Sequence, residues 1–369
     1  MKKILYIVSN LQRCGPTNQL SYIIKYLDKI KFESMVLTLS PEPKENSMKS
    51  YFTDTLGIRV ETLGLSRIKG LLFAKQSIKK FIKENNIDLV HSQGLRADGL
   101  MSTINIPRVA TLRNYPYYDY TMTYGKIKGY LMAKLHLKYL KKIDEPRVVS
   151  KSISKMLKEL NNYDIDFVRN GTDIQRFGNL DKDTLRKKLG INNDKTVFVS
   201  VGHLSDRKDP VTVIKAFKRT KIENSELIFL GDGHLNTQCN NISKNDQNIR
   251  FTGNINNVEE YLGASDYLIS ASLAEGLPNT VLEAMACGLP CILSNIPPHE
   301  EIYVINKNSS LLFEIKNIND LTDKINEITT RDYESMSKAA KEIIYANLSA
   351  KIMSNNYQKV YNKLLKDNI

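Results

Sequence analysis

Two glutamates, Glu275 and Glu283, flank the start of a predicted helix in the segment AEGLPNTVLEAMACGLP, residues 274–290. Pro278 or the next residue is a favourable first residue for that helix, and Gly288 is typical of the position after its last turn. The first turn of a helix presents free backbone N–H groups and the positive end of the helix dipole, which suit a phosphate group. Two carboxylates would repel that phosphate, but they can bind sugar hydroxyls on either side of it. A ribose, a diphosphate and a hexose in that order, as in a nucleotide sugar, fit this arrangement.

Three further segments of the same half are predicted to follow strands. They are VGHLSDRKDP (201–210), LGDGHL (230–235) and FTGNINN (251–257). Ligands of parallel α/β sheets bind beyond the carboxyl ends of the strands, where such segments meet. The first contributes Arg207 and Lys208, and the second is a Gly-Asp-Gly turn whose backbone can approach a ligand closely. Because acids are common near helix starts, the two glutamates alone would be weak support, but four such segments in order predict one site.

These segments are positioned by an alternation of short β-branched runs with longer amphipathic runs. In the first half the predicted strands are 3–8, 34–39, 88–92 and 108–112, with a helix at 18–27. The alternation restarts at strand 195–202 and continues with helices at 210–219, 256–263 and 279–287 and strands at 226–231, 249–253, 266–272 and 290–295. Such alternation predicts a parallel sheet covered by helices. The restart predicts two doubly wound halves, joined near residues 166–178, where Asn170-Gly171 indicates a turn.

The composition is that of a globular protein of 369 residues, which is long enough for two domains with separate cores. No apolar run approaches the roughly 18–20 residues of a membrane-spanning helix, and the run at 4–8 is too short for a signal peptide. The four cysteines, Cys14, Cys239, Cys287 and Cys291, are too scattered for a disulfide framework. We therefore expect a cytoplasmic protein in which Cys287 and Cys291 are buried thiols.

The formal net charge of +13 lies in the first half of the chain. Residues 1–170 hold 29 Lys and Arg against 15 Asp and Glu, whereas residues 171–369 hold 24 against 25. Two segments of the first half, 67–83 and 126–142, place Lys and Arg between Leu, Ile, Phe and Tyr, as surface helices packed on a sheet would. The excess charge in the same half favours a further role for them, which is docking at an anionic membrane surface.

The motifs of the second half resemble the donor domain of retaining glycosyltransferases of family 4, which have the GT-B fold. The matching segments are NGTDIQRF (170–177, with Thr172 in place of Val), VGHLSDRKDP, LGDGHL, EGLPNTVLEAMACGLP and SNIPPHEEI (294–302). The resemblance covers about the whole chain and is strongest in residues 168–302. It implies an α/β fold of two doubly wound Rossmann-like domains that face a cleft. The implied parts are an acceptor-side domain at 1–168, a nucleotide-sugar-binding domain at 169–345, and a helix in 346–369 that packs back towards the first domain.

The resemblance also implies roles for donor-site residues. Arg207 and Lys208 would hold the diphosphate and stabilise its charge as it leaves, while Glu275 would bind the donor sugar and favour an oxocarbenium-like transition state. These three residues are the implied catalytic group, and Glu283 would bind the ribose hydroxyls. The other implied donor contacts are Gly15, His203, Gly231, Gly233, Asn254, Ile255, Gly276, Leu277, Pro278, Asn279 and Thr280.

Two positions depart from the family pattern. His203 stands where Arg is usual, so the diphosphate loses one permanent cation, for which a protonated His203 or Arg207 would compensate. Arg113 stands where the loop after strand 108–112 often carries His, which indicates an anionic acceptor group near Arg113.

The remaining acceptor-side candidates keep two interpretations each. His91 matches a family histidine and either contacts substrate or is a structural histidine at a strand end. Asn114, Tyr115 and the neighbouring tyrosines 117, 118 and 120 either contact a sugar acceptor, which the aromatic cluster in a loop favours, or pack the loop.

Family members are similar in keeping the anomeric configuration of the transferred sugar. In the front-face mechanism this implies, the leaving phosphate oxygen accepts the proton of the acceptor, so no separate base is needed. Arg207, Lys208 and the helix start take the place of a metal ion, so neither a metal nor a cofactor is expected. The run Asp-Lys-Asp at 181–183 resembles a metal-binding pair, but we predict that it is a solvated helix start.

The sequence therefore predicts a metal-independent hexosyltransferase that associates peripherally with the inner face of the cell membrane. Its donor would be a nucleotide-diphosphate sugar, with UDP favoured by family habit, and its acceptor a lipid-linked or surface-polysaccharide saccharide. The segment TLRNYPYYDYTMTYGKIKG, residues 111–129, looks like a subgroup found in capsule, O-antigen or teichoic-type polysaccharide assembly.

Three alternatives have less support. The same chemistry on a soluble acceptor would leave the charge asymmetry without a partner. A basic nucleic-acid-binding protein is disfavoured, and no nucleic-acid partner is expected, because the chain has no Trp and resembles no RNA- or DNA-reading motif. A nicotinamide-dependent oxidoreductase would need G-x-G-x-x-G after the first strand, where the chain keeps Gly15 alone.

Overall fold

The structure is a computed structural model that describes residues 1–64, 67–244 and 246–366. The chain forms two compact units, Met1–Asn170 with Ala350–Ile369 and Gly171–Ser349. The sequence places the boundaries after residues 168 and 345, whereas the units divide after Asn170 and Ser349.

The strands are short, as is usual in parallel sheets. In chain order they are β1 (Lys2–Val8), β2 (Phe32–Thr38), β3 (Arg59–Thr62), β4 (Leu89–Gln93), β5 (Arg108–Leu112), β6 (Glu145–Val148), β7 (Thr196–Val201), β8 (Ser225–Leu230), β9 (Ile249–Phe251), β10 (Tyr267–Ser270), β11 (Cys291–Ser294) and β12 (Ser310–Phe313). The sequence pattern predicts nine of these twelve strands and misses β3, β6 and β12.

Helices follow most of the strands. In chain order they are α1 (Gly15–Lys25), α2 (Arg67–Glu84), α3 (Leu95–Met101), α4 (Pro116–Tyr124), α5 (Lys126–Leu140), α6 (Lys151–Asn161), α7 (Ile174–Phe177), α8 (Lys182–Leu189), α9 (Pro210–Phe217), α10 (Asn236–Ser243), α11 (Val258–Ala264), α12 (Asn279–Cys287), α13 (Pro297–Tyr303), α14 (Ile318–Ile328), α15 (Tyr333–Asn347) and α16 (Ala350–Lys366). A π-helical turn at Tyr51–Thr55 and a 3₁₀ turn at Lys307–Ser309 complete the described elements.

Each unit contains one six-stranded parallel sheet. The strand order is β3-β2-β1-β4-β5-β6 in the first unit and β12-β11-β10-β7-β8-β9 in the second. In both sheets the chain moves outward from a central strand, returns to the centre and then builds the opposite side. This doubly wound order places a topological switch point between β1 and β4 and another between β7 and β10, where ligands bind in such sheets.

The central strands are buried because helices cover both faces of a parallel sheet. Residues Ile4–Ile7 of β1 are inaccessible to solvent, as are Val197–Val199 of β7. Both stretches read as continuous apolar runs, and this is why the pattern predicts them well.

Helix α16 belongs to the first unit although it comes from the end of the chain. Met353, Tyr357 and Tyr361 pack in the same buried cluster as Ile4 and Ile23. Ser354 also donates a hydrogen bond from its hydroxyl to the carbonyl of Ile23, at 2.8 Å. The last described helix therefore completes the core of the first unit.

The two basic segments form helices, as predicted. Segment 126–142 corresponds to α5, and segment 67–83 to α2, of which the side chains of residues 67–72 lie outside the described part. Among the described residues, no helix combines the length and the apolar composition that crossing a bilayer requires.

Candidate functional site

The loops after β7 and β10 meet at the switch point of the second unit. Residues 202–209 follow β7 and residues 271–278 follow β10, and these two strands are neighbours in the sheet. The backbone N–H of Leu273 donates to the carbonyl of Arg207 at 2.8 Å, which fixes the two loops side by side. Residues that are about 65 positions apart in the chain are thereby brought to one edge of the sheet.

A half-buried ion-pair cluster of Arg207, Lys208 and Glu275 joins these loops. Lys208 Nζ lies 2.6 Å from Glu275 Oε1, and Arg207 Nη1 lies 3.3 Å from Glu275 Oε2 and 3.0 Å from the carbonyl of Ala274. The side chain of Glu275 is 9% exposed, that of Lys208 16% and that of Arg207 29%. Two cations share one carboxylate, so the cluster carries one positive charge in excess, with Arg207 facing solvent most.

Glu275 is ionised in this cluster. Burial would raise the pKa of its carboxyl group, but the charges of Lys208 and Arg207, with hydrogen bonds from Lys208 and Ser272, lower that pKa to about 2. Opposite charges within a few ångströms favour the charged form strongly when water is excluded. Glu275 is therefore available as a fixed negative charge and hydrogen-bond acceptor, and not as a proton donor.

Glycines allow the neighbouring loops to pack closely. A Cβ on Gly231 would lie 2.2 Å from the carbonyl oxygen of Gly202, and a Cβ on Gly233 would lie 2.3 Å from that of Leu204. The side chain of Lys208 passes over Gly202, where a Cβ would lie 2.9 Å from Lys208 Cε. The sequence predicts that the backbone at Gly231 and Gly233 can approach a ligand closely. In the structure this backbone packs closely against the loop after β7.

Helix α12 begins beside the cluster with the bounds that the sequence predicts, Asn279–Cys287. Pro278 occupies its N-cap position and provides no side-chain cap, and Gly288 ends the helix with φ +87°. Gly276, Leu277 and Pro278 are buried, whereas Asn279 and Thr280 are half-buried at the helix start. The arrangement has the uncapped helix end that suits a phosphate.

Glu283 lies one turn into α12 in a different environment from Glu275. It is 7% exposed and lies near the ion pair between Arg176 Nη2 and Glu259 Oε2, which are 2.8 Å apart. Burial raises the pKa of Glu283 to about 7, with Glu259 adding to the shift and Arg176 and Lys208 opposing it. The two glutamates of the motif therefore differ in protonation, one ionised and one that titrates near neutral pH.

The other predicted donor contacts of this unit lie on loops at the same edge of the sheet. His203 is exposed after β7, and its ring centroid lies 6.4 Å from that of His234, whose Nε2 is 2.9 Å from Asp206 Oδ2. Asn254 and Ile255 follow β9, next to Gly253, whose carbonyl accepts from the N–H of Gly231 at 2.9 Å. Gly15 is in the first unit, where it is the first residue of α1.

A buried polar network behind Glu275 was not predicted from the sequence. His299 is inaccessible to solvent, and its Nδ1 lies 2.9 Å from the carbonyl oxygen of Ser294 and 3.1 Å from the Ser294 hydroxyl. The hydroxyl of Ser294 donates to the carbonyl of Ser272 at 2.6 Å, and the Ser272 side chain is a partner of Glu275. Burial lowers the pKa of His299 to about 4, so its ring is neutral. His299 belongs to the motif SNIPPHEEI, which is identified from the sequence, but nothing in the sequence indicates that its side chain is buried.

His91 of the first unit is a structural histidine. It is fully buried in β4, with Nδ1 2.7 Å from the Tyr361 hydroxyl and Nε2 2.8 Å from the Thr111 hydroxyl. Burial, with a contribution from the charge of Arg113, lowers its pKa to about 3. Both ring nitrogens are used within the protein, so the structure contradicts the interpretation of His91 as an acceptor contact.

The other acceptor-side candidates follow β5. Arg113 donates from Nη2 to Gln93 Oε1 at 2.7 Å and from Nη1 to Asn170 Oδ1 at 3.1 Å. Asn114 donates from its amide to Asp119 Oδ1 at 3.0 Å. The hydroxyls of two tyrosines of this segment are also engaged within the unit, Tyr115 with Asn161 and Tyr120 with His136. Most of the aromatic cluster therefore packs α4 onto its neighbours, while Tyr118 is exposed.

The Asp-Lys-Asp run is a helix start, as predicted. Asp181 is the N-cap of α8 and accepts hydrogen bonds from the N–H groups of Asp183 and Thr184. Lys182 forms an ion pair with Asp266. Cys291 is buried and Cys287 half-buried, both as free thiols whose pKa is raised by burial. In the described part of the chain, no three His, Cys, Asp or Glu residues are grouped so as to hold a metal ion.

Both halves of the chain match models of glycosyltransferase families. The model for Glycosyltransferase Family 4 matches residues 15–176, and the model for Glycosyl transferases group 1 matches residues 181–344. Together the two matches span most of the chain and confirm the predicted family.

Relatives and solved structures agree with this assignment. The chain is 25% identical over 377 residues to the O-antigen biosynthesis glycosyltransferase WclY of Escherichia coli, with 99% of each chain covered. It is 26% identical over 310 residues to the UDP-Gal:alpha-D-GlcNAc-diphosphoundecaprenol alpha-1,3-galactosyltransferase of Escherichia coli, covering 77% of this chain and 76% of that protein. The structure of Anabaena HepE in complex with UDP and glucose superposes with a TM-score of 0.81 at 16% identity, over 98% of this chain and 100% of that one. The last match confirms the predicted fold class, and the chain therefore belongs to the group 1 and family 4 glycosyltransferases, with their GT-B fold.

Proposed function

We propose that the protein transfers a hexose from a UDP-sugar to a lipid-linked saccharide during assembly of a bacterial surface polysaccharide, with retention of the anomeric configuration. The observation that carries the proposal is the cluster of Arg207, Lys208 and Glu275 at the switch point of the second unit. The two Escherichia coli relatives support the pathway, since one is named for O-antigen biosynthesis and the other for a diphosphoundecaprenol acceptor.

In the proposed reaction the cluster stabilises the leaving diphosphate. The bond between the anomeric carbon and the phosphate oxygen breaks, and negative charge develops on the diphosphate. Arg207 and Lys208 are positioned by Glu275 and by the loop backbone, so they meet that charge without reorganising. The acceptor oxygen bonds to the anomeric carbon, and its proton passes to the leaving phosphate oxygen. Glu275, held ionised, favours the positive charge that develops on the sugar.

We propose in addition that this reaction needs no metal ion. The two cations and the start of α12 supply positive potential where a divalent ion would otherwise bind the diphosphate. Activity that persists in an excess of EDTA agrees with this part of the proposal. Loss of activity in EDTA, restored by Mg²⁺ or Mn²⁺, contradicts it.

The donor assignment is tested by the stabilisation of the protein by nucleotides. Thermal unfolding is measured with UDP, UDP-glucose, UDP-galactose, UDP-N-acetylglucosamine, GDP-mannose and ADP-glucose, since a ligand that binds the native state raises its melting temperature. We expect the response to UDP and to one UDP-sugar to be lost in Arg207→Ala and kept in Arg219→Ala, an exposed arginine of the same unit. Failure of every nucleotide to stabilise the wild-type protein contradicts the proposal.

For the acceptor side, we propose that α4 and α5 dock on an anionic membrane surface. Their exposed basic–apolar face consists of Tyr118, Met122, Tyr124, Ile127, Tyr130, Leu131 and Leu135 with Lys126, Lys128, Lys134 and Lys138. No Asp or Glu occurs between Tyr120 and Ile143. Large exposed apolar patches mark interaction sites, and the lysines select a negatively charged partner.

Membrane docking is tested with sedimentation of vesicles. Wild-type protein should bind vesicles that contain phosphatidylglycerol and not vesicles of phosphatidylcholine alone, with binding that weakens as salt rises. The double variant Ile127→Ser with Leu131→Ser should remain in the supernatant. Ile30→Ser removes a side chain that is 89% exposed elsewhere in the same unit and serves as the matched control. Equal binding to both kinds of vesicle contradicts the docking proposal and leaves the donor chemistry standing.

A further inference from the structure

The first unit contains a cation without a carboxylate partner at the carboxyl edge of its sheet. Arg113 follows β5, and Gln93 is the last residue of β4, the neighbouring strand. No Asp or Glu of the described residues lies within ion-pair distance of the Arg113 guanidinium. Its hydrogen bonds are instead made to the neutral amides of Gln93 and Asn170.

Two donors in this pair have no partner. Arg113 Nε and Gln93 Nε2 are buried, and neither forms a hydrogen bond within the described part of the chain. The orientation of the Gln93 amide is fixed by chemistry, because a guanidinium has donors only and so takes the amide oxygen. Gln93 is 8% exposed, and among the described residues its Nε2 is then left without an acceptor, as is Arg113 Nε. Buried polar groups in native proteins nearly always have a partner.

Asp98, whose charge acts on Arg113, already has other partners. Asp98 contributes to the electrostatics of the guanidinium, but its Oδ1 accepts from the Ser92 hydroxyl at 2.6 Å and its Oδ2 lies 2.8 Å from His136 Nε2. Burial lowers the pKa of Arg113, although the charge of Asp98 opposes this shift. A buried charge without a counter-charge is costly, and ionisable groups perturbed in this way cluster at functional sites.

The location is that of a ligand site. β4 borders β1 at the switch point of the first unit, and both Gln93 and Arg113 lie at the carboxyl ends of their strands. In doubly wound sheets the crevice at this position is where ligands bind.

We propose that Arg113 and Gln93 bind an oxyanion carried by the acceptor, with Arg113 Nε and Gln93 Nε2 as its two donors. That the oxyanion belongs to the acceptor rests on the proposed function, whereas the oxyanion site itself rests on residues of the first unit alone. N–H donors on and beside a guanidinium recognise a phosphate oxygen or a carboxylate. The phosphate would come from a lipid diphosphate and the carboxylate from an acidic sugar.

The test uses the full chain with the donor site filled by saturating UDP, so that added anions cannot bind there. Inorganic pyrophosphate, inorganic phosphate and glucuronate are titrated separately while the melting temperature is recorded. We expect at least one of these anions to raise the melting temperature of wild-type protein. A response to pyrophosphate alone assigns the site to a lipid diphosphate, and a response to glucuronate assigns it to an acidic sugar.

Two variants examine the same site. Gln93→Glu places a carboxylate beside Arg113, so it should melt at or above the wild-type temperature and bind the anion roughly tenfold more weakly or worse. Arg113→Gln removes the charge and should lose the anion response while its response to UDP is unchanged. Gln76→Glu makes the same change of charge at an exposed position of the first unit and should behave like wild type.

The outcomes separate the two proposals. An anion response that persists in Gln93→Glu, a melting temperature of that variant well below wild type, or no response of wild type to any of the anions overturns the oxyanion site. If UDP alone does not raise the melting temperature, the donor assignment is overturned. This measurement is made before any anion is added.

Discussion

Lys208 Nζ and Glu275 Oε1 are 2.6 Å apart, and this ion pair joins the two loops that flank the switch point of the second unit. A single contact therefore links the orientation of a cation to the position of an acid that the sequence motif predicts as a sugar contact.

Replacing Glu275 with Gln should make the stability of the protein less dependent on pH. The folded-state pKa of about 2 lies below the usual 4.5, so the carboxylate contributes stability above pH 4.5 that is lost as the pH falls towards 2. For this buried group the contribution is on the order of 3 kcal/mol at pH 7 and less than half of that at pH 3. Urea unfolding of both proteins at the two pH values measures it. A difference in unfolding free energy that is the same at pH 3 and pH 7 would show that the ion pairs do not set this pKa.

Replacing Lys208 with Ala should lower turnover more than donor affinity. The ammonium meets negative charge that grows as the diphosphate leaves, so its loss costs roughly 1.5–3 kcal/mol in the transition state, or about 10- to 100-fold in kcat. Release of UDP from the UDP-sugar identified by thermal unfolding measures the rate. Lys215→Ala, an exposed lysine of α9, is the matched control and should keep wild-type turnover. If kcat is unchanged and KM alone rises, Lys208 binds the donor without acting on the transition state.

Glu283→Gln should stabilise the protein at alkaline pH. Its folded-state pKa of about 7 lies above the usual 4.5, so the native state favours the protonated form. The wild-type protein therefore loses stability as the pH rises from 4.5 through 7, and glutamine, which mimics the neutral acid, avoids that loss. We expect nearly equal unfolding free energies at pH 5 and a more stable variant at pH 8.5. A variant that is less stable than wild type at pH 8.5 contradicts the raised pKa.

His299→Gln should destabilise the second unit. It should also change the pKa of Glu275, because Ser294 and Ser272 connect the two side chains. The neutral ring of His299 is bonded to Ser294, and loss of a well-placed buried hydrogen bond costs on the order of 1–3 kcal/mol. Because its folded-state pKa of about 4 is below 6.5, the stability that wild-type His299 contributes is present above pH 6.5 and is lost as the pH falls to 4. Unfolding curves between pH 4 and 8 should show this dependence in wild type and a flatter curve in the variant. Equal curves for the two proteins would exclude a role for this network in the fold.

The sequence predicts the central strands of both sheets and misses the strands at three of the four sheet edges. β1 and β7 are covered on both faces and read as apolar runs, whereas β3 (Arg59–Thr62) mixes charged residues with one buried valine. β6 contains Pro146 and two charged residues, and in β12 only the first and last residues are buried. Edge strands have one open side and few buried positions, so their sequences carry little strand signal.

The donor-site motifs could be predicted from the sequence because each lies within a short stretch that follows a strand. The order of the loops around the switch point follows from the fold, so Arg207, Lys208 and Glu275 could be brought together from the sequence. His299, Ser294 and Ser272 could not, because their contacts cross between neighbouring elements and depend on side-chain direction. His91 illustrates the converse, since a histidine near a strand end was equally compatible with solvent and with burial against Tyr361, which is 270 residues away.

The position of α16 has a consequence for how the chain acquires its structure. A ribosome that has completed residues 1–170 has not yet made the helix whose Met353, Tyr357 and Tyr361 close their apolar core and satisfy His91 and Thr111. The part that is synthesised first thus remains unfinished through the synthesis of the entire second unit. Nascent chains of this protein should expose that incomplete surface to chaperones for most of translation. A premature stop before Ala350 should unfold the amino-terminal half and leave the second unit folded.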